Sequence, residues 1–89
     1  MNLITISGLV AAFFTTTSFL PQAIKTIRTR DTSSISLSMY ILFTFGTLMW
    51  FIYGIFSHNL PVYIANGITF LLAAVILFFK LKNSRSLLK

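Results

Sequence analysis

Long uncharged runs broken by short polar segments set out this chain. Residues 1–24 carry no charged side chain, and residues 25–34 (KTIRTRDTSS) are polar. Residues 35–56 are uncharged and rich in aromatics; Ser57, His58 and Asn59 then interrupt, and residues 60–79 are uncharged again. A helix needs about 20 mostly apolar residues to cross a bilayer, so the pattern predicts three spans, at about 2–24, 35–56 and 60–80. A single helix through residues 35–79 would be roughly 67 Å long, against a hydrocarbon layer of ~30 Å. Two spans joined by a tight turn fit better, and Pro61 suits the first turn of the last helix, where its missing N–H is not needed. The segment 25–34 is too short to recross a bilayer, so the second span starts on the side where the first ends. Thr32, Ser33 and Ser34 are placed to cap it. No Lys or Arg precedes the first run, which is also too long for a cleaved signal, so it reads as a span.

Composition leads to the same class. Of 89 residues, 56% are hydrophobic and 9% charged, more apolar surface than a water-soluble fold of this size can hide. The net charge of +6 would suggest nucleic acid if it covered an exposed face. Instead it falls into two clusters, Lys25, Arg28, Arg30 and Lys80, Lys82, Arg85, Lys89, each flanking an apolar run. Basic residues beside span ends stay cytoplasmic, which predicts an outer amino terminus, an inner carboxyl terminus and no nucleic-acid partner. With no cysteine, one histidine (His58) and one acid (Asp31), no catalytic dyad, metal cluster or phosphate-cradling loop can be assembled. The sequence calls for neither an enzyme nor a cofactor.

Depth brings the candidate chemistry together. The turn makes the last two spans antiparallel, so residues equally far from position 58 lie at equal depth. Trp50 is eight residues before His58 and Asn66 eight after, both ~12 Å inward of the turn. An indole can stack on the C–H face of a pyranose while a carboxamide bonds its hydroxyls. Each residue also has a plainer reading, Trp50 as an interface anchor and Asn66 as a bond between helices. Met39, Phe43, Gly46, Trp50, Tyr53 and Ser57 share one helical stripe, so a pathway at Trp50 would put Tyr53 at an outer constriction and Met39 with Phe43 at an inner one. Ordinary helix packing gives the same periodicity.

The first span holds a hydroxyl run, Thr15 to Ser18, followed by Pro21 and Gln22. Proline cannot donate to the carbonyl of Thr17, which predicts a bend and a candidate hinge. One or two of the hydroxyls can line a cavity, and the others can bond back to their own helix. No Asp or Glu lies inside the predicted spans, although proton-coupled carriers usually hold an ionisable group there. Passive movement of a neutral solute is therefore expected. Three helices leave no lumen wide enough for a polar solute, so two copies about an axis along the membrane normal are expected, with two Trp50 and two Asn66 around a shared cavity.

The Pro21-Gln22 pair, Lys25 and Arg28 after it, the Ser/Thr-rich loop, Trp50 and Asn66 together resemble a bacterial SemiSWEET of the SWEET and PQ-loop transporter group, over essentially the whole chain. The resemblance implies an all-α membrane protein, a single triple-helix bundle that pairs as a parallel homodimer with six helices around a central pathway. It implies uniport of mono- or disaccharides by alternating access across the bacterial inner membrane. It also implies Trp50 and Asn66 as sugar ligands, Tyr53 with Phe19 at the outer gate, Met39 and Phe43 at the inner gate, and Pro21 with Gln22 as the hinge. Some relatives place an Arg and an Asp after the gate tyrosine where this chain has Ser57 and Asn59, so an ion-pair outer lock cannot operate. Two other readings stand beside sugar transport. One is a PQ-loop-type carrier of another small neutral solute such as an amino acid, and the other a non-transporting membrane subunit.

Overall fold

The computed structural model describes residues 2–88, with side chains described through Asn83. They form three helices, α1 (Leu3–Thr29), α2 (Leu37–Phe56) and α3 (Leu60–Leu88). All three are long and apolar enough to cross a membrane. Arg85 and Lys89, two of the topology-setting cations, lie outside the described side chains.

Each helix end has a local cause. The Asn2 side chain accepts from the Thr5 N–H at 2.7 Å and opens α1. That helix runs past residue 24 because Ala23 and Ile27 continue its packed face. It stops at Arg30, whose φ of 56° is left-handed and whose N–H donates back to the Thr26 carbonyl at 2.8 Å. α2 is capped by Ser36, whose hydroxyl accepts from the Met39 N–H at 3.3 Å, and not by Thr32, Ser33 or Ser34. Thr32 and Ser33 have other partners. The Ser33 N–H and hydroxyl both donate to the Asp31 carboxylate, at 3.0 and 2.8 Å, and Thr32 is buried. The two Ser33 bonds favour the charged carboxylate and hold the Asp31 pKa below its ordinary value.

The α2–α3 hairpin turns within Ser57, His58 and Asn59. The Asn59 N–H donates to the Gly54 carbonyl at 2.8 Å and the His58 N–H to the Ile55 carbonyl at 3.2 Å. His58 takes the left-handed position, φ 56°, so this is a Schellman turn. Asn59 then caps α3, accepting from the Val62 N–H at 3.3 Å. One residue therefore ends one helix and starts the next.

α3 lies between the other two. It packs against both α1 and α2, while no Cα of α1 comes within 8 Å of one in α2. The result is a flat layer measuring 54 × 24 × 15 Å. Small residues set the spacing. A Cβ on Gly54 would sit 2.7 Å from the Tyr63 backbone nitrogen, and one on Gly67 would meet the Phe51 ring at 2.9 Å.

The layer is not equally closed along its length. Ala23, Tyr40, Ala73 and Ile76 are buried together, with Phe19, Ile27, Ile35, Leu72 and Leu77 packed around them. All three helices meet there, in the half nearer the 30–36 loop. Towards the 57–59 turn, α1 buries no side chain, and two grooves of about 530 and 230 Å³ run between it and α3.

Candidate substrate-binding cleft

Successive α-helical residues are about 100° apart, and this spacing sorts the two faces of the layer. On α2, Tyr40, Thr44, Thr47 and Gly54 are buried against α3. Half a turn away, on the side turned from α3, lie Leu42, Phe45, Met49 and Phe56, all apolar and exposed. These suit acyl chains, as do Ile64, Ile68, Leu71, Val75 and Phe78 on α3. About a quarter turn from Leu42, Phe45, Met49 and Phe56 lies the stripe Met39, Phe43, Gly46, Trp50, Tyr53 and Ser57, and the side of α2 opposite that stripe carries the exposed Ile41, Ile52 and Ile55. Asn66, Thr69 and Ala73 fall on the side of α3 away from its lipid stripe. On α1 the matching stripe is Thr15, Ser18 and Gln22. One face of the layer is apolar; the other carries Trp50, Tyr53, Met39, Phe43, Asn66, Thr15, Ser18 and Gln22.

Trp50 and Asn66 lie level on that second face. Phe51 touches Gly67 across the α2–α3 seam, and Trp50 and Asn66 are their respective sequence neighbours. Their side chains share no hydrogen bond, since the Asn66 amide bonds within its own helix. The Trp50 indole is 55% exposed and meets the Tyr53 ring edge-on, 5.5 Å between centroids. Asn66 is half-buried at the floor of the larger groove, whose rim includes Thr5, Ser57, His58 and Asn59. Its amide donates one hydrogen to the Val62 carbonyl at 2.9 Å. The second amide hydrogen and the oxygen stay available, a donor and an acceptor suited to a hydroxyl pair.

The hydroxyl run divides as the helix turns. Thr16 and Thr17 line the smaller groove beside Phe13, Ile64 and Ile68. Thr15 and Ser18 are on the cleft side, where their hydroxyls donate to the Ala12 and Phe14 carbonyls, at 3.3 and 2.7 Å. Their oxygens keep lone pairs for a solute. Pro21 sits within continuous α1 and faces away from the cleft, beside Ile24, Lys25 and Arg28.

Below Trp50, towards the 30–36 loop, the aromatic rings close up. Phe43 meets Tyr40 at 5.9 Å and Phe19 at 6.1 Å, centroid to centroid. This corrects the expectation for Phe19: within a protomer it is a neighbour of Phe43, not of Tyr53. The reason is position, since Phe19 comes late in α1 and Phe43 early in an antiparallel α2. At the other end, the Ser57 hydroxyl donates to the Gly54 carbonyl at 3.4 Å and the Asn59 side chain caps α3. Both residues that replace the ion pair of some relatives are thus engaged in the hairpin.

Sequence reasoning missed one cluster. The Lys80 ammonium donates to the Thr32 carbonyl at 3.1 Å. The Asn83 amide donates to the Arg30 carbonyl at 3.0 Å and to the Thr32 hydroxyl at 2.9 Å. The Arg30 guanidinium lies over the Phe79 ring, 5.4 Å from its centroid. In the sequence Lys80 stands only as a topology signal, and its three-residue spacing to Asn83, which puts both on one side of α3, is the available clue. Among the described residues no group of His, Cys, Asp or Glu could hold a metal ion.

Residues 3–63 match the PQ loop repeat family. The sugar transporter SemiSWEET of Escherichia coli (strain UMEA 3162-1) is 52% identical over 85 residues, covering 96% of each chain. The sugar transporter SemiSWEET of Leptospira biflexa is 47% identical over 74 residues, 83% of this chain and 87% of that one. Among solved structures, a SemiSWEET crystallised in the inward-open conformation superposes with a TM-score of 0.91 at 51% identity, covering 97% of this chain and 92% of that one.

Proposed function

Because the chain belongs to the PQ-loop family, in its SemiSWEET group, we propose that it carries mono- or disaccharides passively across the bacterial inner membrane as a parallel homodimer. Sugar transport is its function and it is not an enzyme. The observation that carries the mechanism is the polar face of the layer, with Trp50 and Asn66 at one level and nothing in the protomer to cover them. A face bearing an exposed indole and a half-satisfied amide is poorly suited to lipid. Two copies related by an axis along the membrane normal cover both faces at once. Each then contributes one indole and one amide to a shared cavity.

In that cavity the Trp50 faces stack on the apolar side of the sugar ring, while the Asn66 amides and the Thr15 and Ser18 oxygens exchange bonds with its hydroxyls. Tyr53, packed on Trp50, closes the periplasmic side. Met39 and Phe43 close the cytoplasmic side, and Phe19 supports Phe43. Pro21 and Gln22 form the hinge that lets α1 bend between the two states. The basic residues 25–30 and 80–82 hold the loop end in the cytoplasm, with the amino terminus outside.

No acid or base lies within the membrane level of this path, so transport runs down the sugar gradient without proton coupling. Counterflow of labelled sugars into vesicles containing only this protein tests the proposal. Exchange that saturates with sugar and ignores an imposed pH gradient is expected. Counterflow of amino acids but not sugars, or a rate that tracks the proton gradient, would contradict it.

A further inference from the structure

We propose that Thr32, Lys80 and Asn83 form a latch that makes the cytoplasmic end of each protomer one rigid body, so that bending at Pro21 is taken up by the outer arm of α1. This rests on the hinge role of Pro21 given above. Three long-range hydrogen bonds tie the 30–34 loop to α3: one from Lys80 and two from Asn83. They involve the backbone carbonyls of Arg30 and Thr32 as well as the Thr32 hydroxyl, and Thr32 is only 2% exposed. Because Thr32 is buried, an opened latch would leave its carbonyl and hydroxyl with few alternative partners.

The boundary between fixed and movable α1 falls at the proline. Ala23, two residues on, is fully buried, and Ile27 packs on the same cluster. Ala23 is the one side chain α1 buries. Before Pro21 the helix is flanked by the two grooves, and its close approach to α3 is Gly8 against the Pro61 ring. The latch residues touch neither the cleft face at Trp50 nor the hinge, so they act by positioning. They hold Phe43 in register with α3 while the outer arm, which carries Phe19, swings.

The test is amide exchange of the intact protein in bilayers, combined with sugar counterflow. The reporters are the Ser33 and Ile35 amides, bonded to the Asp31 carboxylate and the Thr32 carbonyl. Asn83→Leu removes both Asn83 donors at similar volume, and Lys80→Met keeps the stem while removing the third. Each should speed exchange at Ser33 and Ile35 about ten-fold while leaving the middle of α2 and α3 unchanged. Thr32→Val should add little on top of Asn83→Leu, since the two share a bond. In counterflow the maximal rate should fall about five-fold with half-saturation unchanged, and Asn83→Gln should recover part of it.

Unchanged loop exchange in both variants would overturn the latch, as would equal acceleration throughout α2 and α3. A raised half-saturation with an unchanged rate would place these residues in binding rather than gating. The exchange arm needs no sugar, so it decides the latch even if the transport reading fails.

Discussion

The two ends of this protomer are built from similar apolar helices yet are held in different ways. At the loop end, three helices converge on Ala23, Tyr40, Ala73 and Ile76, and side chains from α3 fasten the connection between α1 and α2. At the turn end, α2 and α3 are joined tightly by Gly54 and the Schellman turn, while α1 stands apart across open grooves. Trp50 and Asn66 lie between these regimes. Helices in lipid gain little from apolar contact alone and associate through close packing and hydrogen bonds. Where glycines and donors are concentrated the layer is rigid, and where they are sparse a helix is free to move. An alternating-access carrier needs both in one chain.

The comparison is broken most severely at the level where the two ends meet. Trp50→Ala should abolish measurable sugar binding, at least ten-fold weaker in a titration of purified protein, while circular dichroism stays unchanged, because the indole is more than half exposed and lies outside the buried core. Loss of fold in this variant would instead make Trp50 a packing residue. Next comes the hinge. Pro21→Ala restores a donor in mid-helix and should raise thermal stability slightly while slowing counterflow several-fold. Uptake at the wild-type rate would remove Pro21 from the mechanism.

The seam between α2 and α3 gives a third contrast. Gly54→Ala places a methyl 2.7 Å from the Tyr63 backbone and should cost about 1–3 kcal/mol in detergent unfolding. Gly46→Ala, on the cleft face with nothing within 4 Å, should be close to neutral for the protomer. Equal losses would mean that the cleft face is packed within the protomer after all.

The smallest effect is at Asp31. Its pKa is held down in the folded loop by Ser33, so its contribution to stability is present above the ordinary carboxylate value of about 3.9 and is lost as the pH falls below it. Melting temperature should therefore dip slightly below pH 4 in the native protein and not in Asp31→Asn. The group is fully exposed, which keeps the dip small.

The three-helix architecture was legible because uncharged runs and short polar breaks leave no other reading in a bilayer. The level pairing of Trp50 with Asn66 was legible too, since a tight turn fixes antiparallel register by counting residues from His58. What counting could not give was lateral order. Nothing in the sequence says that α3 separates α1 from α2, and without that fact the depth of Phe19 along α1 did not reveal Phe43 as its neighbour. The cap differs for a related reason: Thr32, Ser33 and Ser34 are as good helix starters as Ser36, and a long-range bond to Asn83 and a local pair of bonds to Asp31 draw two of them away. The latch itself joins residues about fifty positions apart, beyond the reach of local pattern.

The account rests on an indole and an amide forming one sugar site, and Trp50 is the only tryptophan in the chain, so its fluorescence reports on that site alone. Titration of the reconstituted wild-type protein with transported sugar should give a saturable shift in emission that disappears in Asn66→Ala. Counterflow of sugar with no change in Trp50 emission, or an unaltered titration in Asn66→Ala, would contradict it.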